Sequence, residues 1–120
     1  MSARTDALKD RLSRYRGIRI TITGRTSGRS ISIPVWFVLD GENLYLLPVQ
    51  GSDTQWYKNV RKKPSIRIDA RGAKAEFDVI PITDPKQVSS VVEKFRAKYG
   101  ANDVKKYYSK LDVAVLARAR

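Results

Sequence analysis

The chain has 120 residues and a formal net charge of +12, with 24 Lys and Arg against 12 Asp and Glu. A chain of this length forms one domain that buries roughly two-thirds of its unfolded surface, so a core is possible without covalent staples. It contains no cysteine and no histidine, which excludes disulfides, thiolate nucleophiles, iron–sulfur ligation, the usual zinc sites and histidine general bases. Redox chemistry would require a bound organic cofactor.

No apolar run reaches the ~20 residues of a membrane span, and the N-terminal MSARTDALKDRLSRYR lacks the apolar core of a signal peptide. A cytoplasmic protein is expected. The charge is unevenly spread: residues 1–30 carry +6, 31–55 carry −3, 56–74 carry +6 and 75–120 carry +3. Two dense basic blocks point to an anionic partner if they line one cleft, and to a merely basic surface, with nucleic acid as the rival partner, if they do not.

In chain order, residues 4–16 place Leu8, Leu12 and Tyr15 on one face of an amphipathic helix with a basic outer side. Ile18, Ile20 and Ile22 then alternate with Arg19, Thr21 and Thr23, the period of a strand with one buried face. A loop follows, Gly24-Arg25-Thr26-Ser27-Gly28-Arg29. Its glycines reach backbone conformations closed to other residues, and its hydroxyls and guanidinium groups suit a phosphate or carboxylate. The loop reads functionally as an anion site, and taken in isolation more readily as a surface turn between two strands.

Ile31 to Leu39 is apolar on both faces, with Pro34 as a mid-strand defect of the kind that marks a barrel split or a ligand approach. Asp40 to Asn43 turns into a strand over 43–49. Gln50-Gly51-Ser52 is a second glycine-bearing loop, and Asp53 reads as the N-cap of a helix over 54–63. On that helix Trp56 suits core packing as well as stacking on a ligand ring. A hairpin over 65–71 and 73–82 has one wet face, Arg67, Asp69 and Arg71, and no convincing acid/base pair. Asp84, Pro85 and Gln87 open a helix whose stripe Val88, Val91, Val92, Phe95 and Tyr99 is buried and which Gly100 ends. Asn102 caps a turn bearing Tyr107 and Tyr108, and 112–117 closes the sheet. This order argues for an antiparallel barrel with packing helices, an α+β, mainly β architecture.

The segments TITGRTSGRSISIPVWF, DGENLYLLP and QGSDTQWYKNVRKKPSIRI, in this order, resemble the deazaflavin-dependent nitroreductase family, with its TTGRxSG loop, DG hairpin and WYxNLRxNP helix. The resemblance covers about residues 18–68. It implies an FMN-binding-like split β-barrel, usually dimeric, carrying coenzyme F420, a deazaflavin, and passing hydride to a quinone, nitro or enone acceptor. By it Gly24, Arg25, Thr26, Ser27 and Gly28 match a phosphate loop, Gln50, Gly51 and Ser52 a second cofactor loop, and Trp56, Tyr57 and Asn59 the WYxN helix. Lys58, Arg61 and Arg29 then meet the acidic tail of the cofactor. The family's His-Pro-Ala before its WY is Asp53-Thr54-Gln55 here, and its tyrosine-bearing C-terminal segment is matched only loosely by Tyr107 and Tyr108, the candidate proton donors. FMN is the alternative cofactor. The rival classes are a non-catalytic barrel with another ligand and a basic nucleic-acid-binding domain, which would interleave aromatics with cations on one face; Arg67, Asp69 and Arg71 have none between them.

Overall fold

The computed structural model describes residue 12 and residues 16–119. Strands β1 (Gly17–Thr23), β2 (Ser30–Trp36), β3 (Val38–Asp40) and β4 (Asn43–Leu46) lead into a 3-10 turn (Gly51–Asp53) and helix α1 (Gln55–Lys62). Strands β5 (Ser65–Ala70) and β6 (Ala73–Ile82), helices α2 (Pro85–Tyr99) and α3 (Ala101–Tyr107), and strand β7 (Ala114–Ala119) follow. The helix expected over 4–16 lies outside the described residues except for Leu12, which is buried in the main core cluster, and Arg16, which lies in a bend before β1.

Every strand pairing is antiparallel, in the order β2-β1-β5-β6-β7-β4-β3. The two edges, β2 and β3, are consecutive pieces of one stretch of chain, so the sheet must curl until its edges nearly meet. That is an antiparallel split β-barrel. The alternation read in β1 holds, with Ile18, Ile20 and Ile22 all buried, packed with Ile66, Ile68, Phe77 and Val115 inside the barrel.

The single strand expected through 31–39 is broken at Phe37, and the cause lies far off in sequence. Phe37 is fully buried, and its backbone pairs with α2 rather than with a strand. Its N–H donates to Tyr99 Oη (3.1 Å), and its carbonyl accepts from Lys98 Nζ (2.8 Å) and from Tyr99 Oη (2.9 Å). The Tyr99 hydroxyl also reaches the Arg16 carbonyl. Helix α2 thus satisfies the polar backbone that the split leaves unpaired. Its start is as expected: Asp84 accepts from the Gln87 N–H (3.1 Å), and Pro85 occupies the first turn.

Three boundaries are corrected. Asp53 does not cap α1; it ends the 3-10 turn, and Thr54 takes the cap position while its Oγ1 accepts from the Gln50 N–H (2.8 Å). Asn102 lies inside α3, whose cap is Gly100 at φ 95°. Strand β7 begins at Ala114 rather than 112, because Asp112 is engaged by the Ser52 turn.

Candidate functional site

A cavity of about 1080 Å³ opens at the β2 edge of the barrel. Core-facing Ile18, Ile33 and Val35 and their outward neighbours Arg19, Pro34 and Trp36 both line it, so it reaches both faces of the sheet where β2 has no second partner strand. Pro34 sits opposite Arg19 in the β1–β2 register, at the defect that proline introduces into the edge strand.

The wall is strongly aromatic. Trp36 stacks on Tyr99 with ring centroids 4.1 Å apart and planes at 7°, and meets Tyr107 edge-on at 5.4 Å. Trp56, Tyr107 and Tyr108 complete the aromatic lining, with Leu47 and Val49 beside them. Tyr107 is half exposed at 51%, whereas Tyr108 and Trp56 are buried. Burial raises the Tyr108 pKa, with Tyr99 adding to the effect, so Tyr108 holds its proton at neutral pH and releases it poorly. The polar rim is Arg19, Asp69 and Arg71.

The Gly24–Arg29 loop is not in this wall. It joins the far ends of β1 and β2, where Thr23 pairs with Ser30, whereas the cavity lies toward the Gly17–Trp36 end. The loop is closed by the Gly24 N–H on the Arg29 carbonyl (2.8 Å), the Gly28 N–H on the Gly24 carbonyl (2.9 Å) and the Arg29 N–H on Ser27 Oγ (3.2 Å). Thr26 is exposed. Arg25 turns to α1: its backbone N–H and Nη1 both donate to Asn59 Oδ1, at 3.1 and 2.7 Å, and its Nη2 donates to Gln55 Oε1 at 2.9 Å. The loop and the Trp56 helix are therefore brought together, as the two motifs suggested. Tyr57 points into the core at 1% exposure, while Lys58 is half-buried and Arg61 is exposed on the outer side of the helix with Lys62 and Lys63.

The Gln50–Ser52 loop is also outside the described lining and is clasped to the start of the last strand. Ser52 donates from its N–H to Asp112 Oδ1 (3.0 Å) and from its Oγ to Oδ2 (2.6 Å), and Lys110 pairs with Asp53 at 3.1 Å. Burial would raise the Asp112 pKa, but the Ser52 hydrogen bonds and the Lys110 charge outweigh it and hold the carboxyl below its ordinary value. Gly51 has φ 55°, and a Cβ there would meet Asp112 Oδ1 at 2.1 Å. Its glycine is required by this close approach.

Of the residues singled out from the sequence, Trp56, Tyr107 and Tyr108 line this cavity; Trp36, Arg19, Asp69 and Arg71, not among them, line it too. Pro34 was the available signal for Trp36 and Arg19, since it marks the opened edge. Among the described residues no group of His, Cys, Asp or Glu forms a metal site, and no helix is long and apolar enough to cross a membrane.

The fold is shared with several solved structures. An F420-H2-dependent reductase (FDR-A) has 15% identity and a TM-score of 0.67, over 86% of this chain and 94% of its own. A candidate pyridoxamine 5′-phosphate oxidase from Listeria innocua has 13% identity and a TM-score of 0.64, over 94% and 90%. A structure described as a domain-swapped dimer has 14% identity and a TM-score of 0.69, over 95% and 98%. At these identities the likeness establishes the split-barrel fold. No curated protein sequence matches the chain. The family model that matches is not the nitroreductase one suggested by the TITGRTSG and WYKN motifs. It spans residues 10–117, nearly the whole chain, and by it this protein belongs to DUF2255, a family described as uncharacterized and conserved in bacteria.

Proposed function

We propose that the protein is a flavin-type oxidoreductase that binds coenzyme F420, with FMN as the alternative cofactor, and reduces a quinone, nitro or enone acceptor. The observation that carries this is the aromatic cavity at the barrel's open edge. Its volume of about 1080 Å³ is at the upper end of small-molecule sites, which run to roughly 1,000 Å³, and suits a tricyclic ring with an acceptor beside it. When bound, a reduced deazaflavin or flavin supplies a hydride, two electrons and one proton, to an electrophilic acceptor, with a second proton completing the reduction.

The chain's own residues bind, orient and shield. Trp36, held against Tyr99, and the buried Trp56 offer flat apolar surfaces for a ring, while Leu47 and Val49 exclude water. Such chemistry needs no protein nucleophile, consistent with a chain that has no cysteine or histidine. Tyr107, the more exposed tyrosine of the wall, is better placed than Tyr108 to pass a proton. Arg25 and Arg29, with Lys58, Arg61, Lys62 and Lys63 on and beside the adjoining helix, offer positive charge to a phosphate and a polyglutamyl tail. This excess is more than FMN requires, which favours F420. A homodimer would cover Ile31, 37% exposed on the edge strand β2.

The test is an absorbance spectrum of the purified protein followed by steady-state oxidation of reduced F420 with a soluble quinone. Saturable turnover supports the reading. Absence of turnover with both reduced F420 and reduced FMN across quinone, nitro and enone acceptors overturns it.

A further inference from the structure

Two stretches of chain that leave the sheet meet again beside the cavity. The chain exits β4 after Leu46 and enters β7 at Ala114, at the same end of that pair, where Leu46 lies opposite Val115. Beyond it, residues 49–52 run alongside 109–112 at a constant offset of 60 positions. The Ser109 N–H and Oγ donate to the Val49 carbonyl (2.9 and 3.3 Å), Gln50 bridges Lys110 in parallel, and Ser52 donates its N–H and Oγ to Asp112. The named strands all pair antiparallel, so this short parallel ribbon is the exception among the described residues.

Its far end is held most closely. Gly51, at φ 55°, lets the backbone approach Asp112 to where a Cβ would stand 2.1 Å from Oδ1, and Ser52 Oγ donates to Oδ2 at 2.6 Å, a short charge-assisted bond. Lys110 pairs with Asp53 at 3.1 Å and Asp112 at 3.7 Å, but these side chains are between 39% and 67% exposed, and exposed ion pairs hold little. The Ser52–Asp112 hydrogen bonds are therefore the lock of the ribbon.

Both segments run directly into the cavity wall. Val49 begins one, and Trp56 follows it two residues after Thr54, whose Oγ1 holds the Gln50 N–H. Tyr107 and Tyr108 immediately precede Ser109 in the other. All four line the cavity. Val49 and Tyr107 are 44% and 51% exposed, so packing alone fixes them poorly and their backbone must do so.

We infer that Ser52 and Asp112 are positioning residues for this cavity: their clasp fixes Val49 and Trp56 on one segment against Tyr107 and Tyr108 on the other, and so sets the slot that a planar ring enters. Both residues act through the wall rather than on the ring. The inference rests on the oxidoreductase reading above, of which it needs the ring site but not the turnover.

The test uses lumichrome, a flavin ring system without a tail, titrated by its own fluorescence, with thermal melting of each variant alongside. Ser52→Ala should weaken binding about three- to tenfold, part of the worth of one charge-assisted hydrogen bond, and Ser52→Thr, which keeps the hydroxyl, should restore it. Asp84→Ala, which removes the cap of α2, should lower the melting temperature with affinity unchanged, which separates loss of stability from loss of position. In a Trp36→Phe background, where Trp56 is the remaining tryptophan, Ser52→Ala should make its emission more open to iodide quenching. Native affinity in Ser52→Ala overturns the inference, as does an equal loss in Asp84→Ala. A native chain that binds no lumichrome overturns the ring site and the inference with it. Binding that falls in Ser52→Ala supports the inference even where neither reduced F420 nor reduced FMN is turned over, a result that would overturn the redox reading alone.

Discussion

Asn59 Oδ1 accepts two hydrogen bonds from Arg25, one from its backbone N–H and one from its guanidinium, across 34 residues of sequence. Asn59 is 5% exposed, so the Arg25 loop is anchored to the barrel through a buried amide on α1. Asn59→Ala should destabilise the fold by about 1–2 kcal/mol, the scale of charged and backbone hydrogen bonds lost together with partial rescue by water at the exposed arginine. Urea unfolding checks this. An unchanged midpoint would reduce the pair to a surface contact.

The Tyr99 hydroxyl, with Lys98, holds the backbone at the split. Tyr99→Phe leaves the buried Phe37 N–H without the acceptor it has at 3.1 Å while keeping the ring stacked on Trp36. The expected loss is about 1–3 kcal/mol, with faster hydrogen exchange at the Phe37 amide. Exchange as slow as in the native chain would contradict the role given to α2.

Gly51→Ala places a methyl group 2.1 Å from Asp112 Oδ1 and 2.9 Å from the Lys110 carbonyl, at φ 55°. Backbone strain and overpacking together should cost about 2–4 kcal/mol. Thermal melting measures it, and a loss below that of Gly28→Ala, where a Cβ meets nothing within 4 Å, would show that the Ser52–Asp112 clasp is loose.

Burial, reinforced by Arg16, lowers the Lys98 pKa from 10.5 to about 8. Below pH 8 both folded and unfolded chains carry the proton, and the burial penalty is present in full. Between pH 8 and 10.5 the unfolded chain binds more protons, so this residue's contribution to stability rises with pH. Lys94, Lys110 and the raised tyrosines titrate at the alkaline end, so the effect is isolated by comparing the native chain with Lys98→Met from pH 7 to 9.5. The stability difference should move in favour of the native chain as pH rises. A difference that is flat across that range would contradict it.

The local parts of the fold were legible because their causes are local. Ile18, Ile20 and Ile22 declare a buried strand face, and Asp84-Pro85 declares a helix start, through patterns only a few residues long. The break at Phe37 depends on Tyr99 and Lys98, 62 and 61 residues away, and no periodicity in Ile31 to Leu39 signals it. The site divides in the same way. Trp56, Tyr107 and Tyr108, which line the cavity, were singled out as aromatics near suggestive motifs. The glycine of Gln50-Gly51-Ser52 read as a ligand loop, and its use here, room for Asp112, is visible only once residues 60 positions apart meet. Arg71 was read as part of a wet strand face, whereas it also lines the cavity.

The central claim, that the aromatic cavity holds a flavin-type ring, is tested most directly by titrating coenzyme F420 and FMN into the protein and following tryptophan fluorescence. Trp36 and Trp56 are the only tryptophans in the chain, and both line the cavity, so bound ring should quench the emission saturably. F420 should bind more tightly than FMN, with an affinity that falls as salt rises, because Arg61, Lys62 and Lys63 are exposed and screened. Trp36→Leu should weaken F420 binding by about 0.5–1.5 kcal/mol, the scale of an aromatic pair. Emission unaffected by either cofactor, or quenching that Trp36→Leu leaves at native affinity, would contradict the account.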